Sequence, residues 1–199
     1  DAAYRPLGGA LHIGAQRSPL RGAEAVFAFA EQVARYDHLK LHGIMAYESQ
    51  IAGMQDDNPF APLLNMPKQL IKRLARSPLE QLRLQIADGL RERGHTIEIF
   101  NGGGTGSLHW CSSEDALTEV TAGSGFVDSH LFDYYKDFDL TPAAMFAVQV
   151  VRKPTSGLVT CHGGGYIASG ECGPDKLPQP YLPEGLSLTK MEGVGEVQT

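Results

Sequence analysis

The sequence predicts an α/β fold: parallel strands with helices packed outside them over residues 1–142, then a mostly β region over 143–199. Three observations carry this expectation. β-like apolar runs alternate with helix-period segments through four units before Pro142, the pattern that parallel strand–helix units produce. Beyond about residue 140 the runs read as strand and loop, with no helical signal. The ends of the four expected strands, at Ile13, Tyr47, Asn101 and Gly123, all run into polar or glycine-rich turns, which is where parallel α/β sheets collect their sites.

Each element follows from local pattern. Ala10, Leu11, His12 and Ile13 form a short apolar run between glycines and read as the first strand. Residues 23–36 set Ala25, Val26, Phe29, Ala30 and Val33 at helical spacing. Leu39, Leu41 and residues 43–46 make the second strand, followed by Tyr47, Glu48, Ser49 and Gln50. Residues 53–65 are loop-like, rich in Asp, Asn and Pro. Over 66–93 the period is helical, but Ser77, Pro78 and Glu80 match a capping box with proline at the first helical position, so two helices are expected. Leu79, Leu82, Ile86 and Leu90, with Leu84 as a further candidate, would face the core. Ile97, Ile99 and Phe100 form the third strand and residues 118–122 the fourth. Residues 127–138 read as a short helix or turn, and 145–151 and 158–161 as strands. His12 and His42 lie inside strand patterns and are expected to be core histidines.

Composition narrows the function. The 199 residues are 42% hydrophobic and 20% charged, ordinary for a globular chain. A net charge of −6 argues against nucleic-acid or anionic-membrane surfaces, which call for a basic stripe. No apolar run approaches the ~20 residues of a membrane helix, and residues 1–9 lack signal-peptide character. Cys111, Cys161 and Cys172 show no CxxC spacing and suit a reducing compartment, so the cytoplasm is expected. The seven histidines form no metal-ligand spacing.

The chemistry concentrates in Gly102, Gly103, Gly104, Thr105, Gly106 and Ser107. A strand that runs into consecutive glycines exposes backbone N–H groups with no side chain in the way. Thr105 and Ser107 add hydroxyls, and a short helix expected to begin near Ser107 would aim further amides at the same spot. That is the chemistry of a phosphate cradle. No GxGxxG follows the first strand, and GxxxxGK[ST] is absent.

The ordered series Leu11-His12-Ile13-Gly14 with Arg17, HGIMAYESQIAG (42–53), FNGGGTGS (100–107), TEVTAGSGF (118–126), HGGGYIASG (162–170), DKLPQPYLPEG (175–185) and EGVGEVQT (192–199) resembles the fold-type III pyridoxal-phosphate (PLP) enzymes. Within them it is most similar to the amino-acid deaminase/aldolase branch, which includes D-threonine aldolases and D-serine dehydratases of the alanine-racemase superfamily. The resemblance implies the second half of a PLP-binding TIM (β/α)8 barrel over 1–142 and the start of a β domain over 143–199. It implies a lyase or deaminase acting on a D-amino acid by retro-aldol cleavage or β-elimination, and a homodimer as the intact enzyme.

By the same resemblance, Gly103, Gly104, Thr105 and Ser107 hold the cofactor phosphate, with Ser124 and Gly125 at the next strand end. Arg17 and Tyr47 stand beside the cofactor ring as both cofactor-binding and catalytic residues, and Gln50 is a weaker polar contact. Phe126 replaces a tyrosine common in relatives. None of the seven lysines falls at a strand's carboxyl end, so the cofactor-bearing lysine has no counterpart, and the chain reads as an internal fragment, inactive alone. A divalent metal in relatives is held by residues that this chain lacks. Other readings are a non-catalytic PLP-binding or homeostasis protein, an alanine-racemase-type racemase, and an α/β protein that grips a sugar phosphate or nucleotide.

Overall fold

A computed structural model describes residues 1–163, 173–189 and 197–198. Cys172 and most of the segments 162–170 and 192–199 lie outside the described residues. By contacts the chain forms two compact units, one of Asp1–Asp56 with Leu63–Gly123, the other of Asp57–Pro62 with Ser124–Thr199.

The first unit is a parallel sheet with helices. Its helices are α1 (Ala23–Val33), α2 (Ser49–Ala52), α3 (Asn65–Glu92) and α4 (Leu108–Cys111), and its strands are β1 (Gly43–Met45), β2 (Ile99–Gly102) and β3 (Glu119–Val120). Their order is β1-β2-β3, with Ile44 opposite Phe100 and Asn101 opposite Glu119, all parallel. The alternation in sequence thus yields a mixed helix–strand unit with a small parallel sheet. The expected first strand does not form: Ile13 makes an isolated antiparallel bridge with Tyr4, and Leu7–Gly9 is a 3-10 turn. Glycines at 8, 9 and 14 with positive φ bend the chain away from extended pairing on both sides of that run.

The core lies between α1, α3 and the sheet: Phe27, Ala30, Ala46, Ile51, Ala75, Leu79, Ile86, Leu90 and Phe100 are buried together. Of the expected stripe on α3, Leu79, Ile86 and Leu90 are buried, Leu82 packs beside them, and Leu84 is exposed. One helix, not two, spans the stretch, with Pro78 inside it. Gly89 sits where α3 passes Phe27: an added Cβ would lie 2.2 Å from the ring's Cζ. His42 is exposed at the sheet's edge, with Nδ1 3.3 Å from Glu98, and His12 is half-buried beside the Ala15 carbonyl. Neither is a core histidine, because the strand at 10–13 is absent and β1 begins only at Gly43.

The second unit contains an antiparallel sheet of β4 (Gln149–Arg152), β5 (Thr160–His162) and β6 (Val197–Gln198). Its aromatic segment forms a 3-10 turn, His130–Tyr134, with Phe132 and Tyr135 buried against each other. Among the described residues no helix is long and apolar enough to cross a membrane.

Candidate functional site

The strand ends of the first unit converge on the glycine loop. β2 ends at Gly102, and the chain then turns through Gly103 at φ +86°, a conformation open to glycine and costly to other residues. Gly102 and Gly104 are required for a different reason, close approach. A Cβ at Gly102 would meet the Leu117 side chain at 2.9 Å, and one at Gly104 would meet Ala52 Cβ at 2.9 Å and the Tyr47 ring at 3.1 Å. Thr105, half-buried, starts the 3-10 turn Thr105–Ser107 that leads into α4.

The carboxylate of Glu48, fully buried one residue past Tyr47, sits beneath this loop. It accepts the Gly103 N–H at 3.3 Å, the Ser107 hydroxyl, and the Cys111 thiol at 3.3 Å. Arg83, fully buried on α3, donates to Glu48, to Glu114 at 2.5 Å and to the Ala46 carbonyl at 2.6 Å. Burial alone would lower the pKa of this guanidinium, but Glu48 and Glu114 more than reverse that and hold it charged. Burial raises the Glu114 pKa, against the pull of Arg83. Burial, with Glu48 beside it, pushes the Cys111 thiol up to about 12, so it is a neutral hydrogen-bond donor and not a nucleophile.

The expected site residues divide into groups. Tyr47, half-buried, packs its ring against Gly104, and the Arg17 guanidinium lies 5.4 Å over that ring. Arg17 is exposed and also binds the Asp1 carboxylate at 2.5 Å. Burial and then Glu48 raise the Tyr47 phenol's pKa, with Arg17 opposing. Gly103 and Ser107 turn their polar hydrogens inward to Glu48, and the Gly104 N–H donates to Ser107 Oγ at 3.1 Å. Gln50 is buried and donates to the Ala2 carbonyl at 2.9 Å. Ser124 and Gly125 belong to the second unit, in the turn Ser124–Phe126, where the Ser124 carbonyl accepts the N–H groups of Val127 and Asp128.

Glu48, Arg83, Glu114 and Cys111 were not expected at the site. Arg83 had a signal: it stands four residues after Leu79 and three before Ile86, a charged residue on the apolar stripe of α3. A charge there needs a buried counter-charge. Among the described residues no group of three or more His, Cys, Asp or Glu is placed to hold a metal.

These features define a class of protein: a parallel α/β unit whose strand ends support a glycine-rich turn over a buried carboxylate–arginine network. Comparison with known proteins refines the fold. No protein-family model and no curated protein matches the chain. Solved structures do match, among them a D-threonine aldolase from Filomicrobium marinum, with a TM-score of 0.66 at 18% identity. The match covers 93% of this chain and 46% of that one, so the chain spans less than half the length of the enzyme whose fold it shares.

Proposed function

We propose that this chain is the phosphate-gripping part of a PLP-dependent lyase that acts on a small D-amino acid, D-threonine- or D-serine-like, by retro-aldol cleavage or β-elimination. The observation that carries the reading is the meeting of Arg17 with Tyr47 and Gly104, which follow the ends of β1 and β2, in a fold like that of a D-threonine aldolase. The donor set suits a flat ring that bears a phosphate. Three glycines in a row put no side chain of their own on the loop, Thr105 adds a hydroxyl, Tyr47 offers an aromatic face, and Arg17 brings a cation.

In this reading Gly103, Gly104, Thr105 and Ser107 make up the phosphate turn. The bound cofactor supplies an electron sink for a carbanion at the substrate Cα. Arg17 holds an anionic oxygen of the ring or of the substrate carboxylate by charge-assisted hydrogen bonds. Tyr47 is protonated near neutral pH like any phenol, burial and Glu48 raise its pKa further, and it donates a hydrogen bond at the ring. Residues 1–142 then belong to a (β/α)8 barrel and 143–199 to a β domain, in a cytoplasmic homodimer. The cofactor-bearing lysine comes from outside these residues.

The test is turnover. The longer polypeptide encoded around these residues, loaded with PLP, should release glycine and acetaldehyde from D-threonine, or pyruvate and ammonia from D-serine, and leave the L isomers untouched. The 199-residue chain should release neither product. Turnover by the short chain, or none by the longer one, would overturn the reading.

A further inference from the structure

A carboxylate offers about four lone-pair positions, and Glu48 fills them with one set of neighbours: Arg83, the Gly103 N–H, the Ser107 hydroxyl and the Cys111 thiol. Glu48, Arg83 and Ser107 are 0% exposed, so no water competes for these bonds. A serine has one hydroxyl hydrogen. Here the carboxylate takes it, in preference to the Gly104 carbonyl at 3.3 Å, and the freed lone pair accepts the Gly104 N–H at 3.1 Å. Gly103 has no second N–H to offer. Three groups expected to touch a phosphate, the Gly103 and Gly104 N–H groups and the Ser107 hydroxyl, are therefore committed to side chains.

We propose that Glu48 is a positioning residue for the phosphate-bearing ligand: its carboxylate draws Gly103 and Ser107 inward and so fixes the shape in which the rest of the loop meets that ligand. This rests on the reading of the loop as a phosphate site. Glu48 acts through its neighbours and never touches the ligand. Ser107 serves the same purpose, as the link between Glu48 and the Gly104 amide.

The chain's single tryptophan, Trp110, lies on α4 just past the loop and reports binding without turnover. PLP should quench its fluorescence in the 199-residue chain, and inorganic phosphate should reverse the quench. Glu48→Gln turns an N–H2 donor toward groups that are themselves donors, and it should weaken PLP binding about tenfold. Glu48→Asp keeps the charge beside Arg83 but shortens the reach, and should weaken binding as well. Ser107→Ala should weaken it less, and the double variant E48Q/S107A should be no worse than E48Q alone, because both changes break one linkage. Pyridoxal, without the phosphate, should bind all variants alike.

Binding to E48Q within about twofold of the wild type, or tighter, overturns the proposal. So does additivity in the double variant, which would place Ser107 on the phosphate itself. If E48Q loses its helical circular dichroism, E48D decides by the same twofold criterion. If wild-type protein shows no quench, or phosphate does not reverse it, the phosphate-site reading fails and takes this inference with it. That outcome is distinct from intact wild-type binding with indifferent variants.

Discussion

Arg83 places one positive charge between two carboxylates, Glu48 and Glu114, in the interior of the first unit. Taking such charges out of water is costly, and their mutual attraction repays the cost only while every partner stays in place. The two carboxylates do not depend on Arg83 equally. Glu48 also receives the loop's donors, whereas Glu114 Oε2 has no hydrogen-bond partner. Arg83→Met strands two buried acids and should cost about 3–5 kcal/mol in urea-induced unfolding. Glu114→Gln leaves a one-to-one pair of Arg83 with Glu48 and should cost about 1 kcal/mol or less. Equal losses in the two variants would mean that Glu114, and not Glu48, is the principal partner of Arg83.

At the scale of elements, α3 shows where pattern and packing part company. Its apolar stripe is legible in the sequence because Leu79, Ile86 and Leu90 repeat at helical spacing. The break expected at Ser77 and Pro78 is not there, since Ala75 and Leu79 are buried on either side and hold one continuous helix against the core. Ser77 Oγ accepts a long bond of 3.4 Å from the Gln81 amide and makes no cap. Pro78 has no N–H for the Leu74 carbonyl, but Leu74 lies on the exposed face, where water can satisfy it. Pro78→Ala should restore that bond and stabilise the protein by about 2 kcal/mol, after the lost rigidity of the unfolded chain is subtracted. A lower melting temperature would show instead that α3 is built around the proline ring. The glycine loop and Tyr47 were equally legible, because strand ends and glycine runs are local signals. The Glu48–Arg83–Glu114 network was not: its members are 31 and 35 residues apart in sequence, and only the folded chain joins them.

For the whole molecule, the acids with raised pKa values set the response to pH. Burial raises Glu114, Asp128 and Asp133, with neighbouring acids adding to the effect at the two aspartates. The folded state therefore binds protons that the unfolded chain has already released. The contribution of these acids to stability is full below the unfolded carboxyl range, about pH 4, and is lost as pH rises through the raised folded values. Burial also raises Tyr47, Tyr134 and Cys111, so a second decline begins where unfolded thiols and phenols ionise, above about pH 8.5. Glu98 runs the other way, lowered by a hydrogen bond from Lys40 and by His42, but it is at the surface, where ~0.1 M salt screens it. Urea midpoints taken at constant salt should thus fall from pH 4 to pH 7, and Glu114→Gln should flatten part of the slope, because it removes one of the acids whose proton the fold retains. A midpoint that climbs over the same interval would mean that these carboxyls keep their charge when buried, and would require counter-charges at Asp128, whose two oxygens have no hydrogen-bond partner.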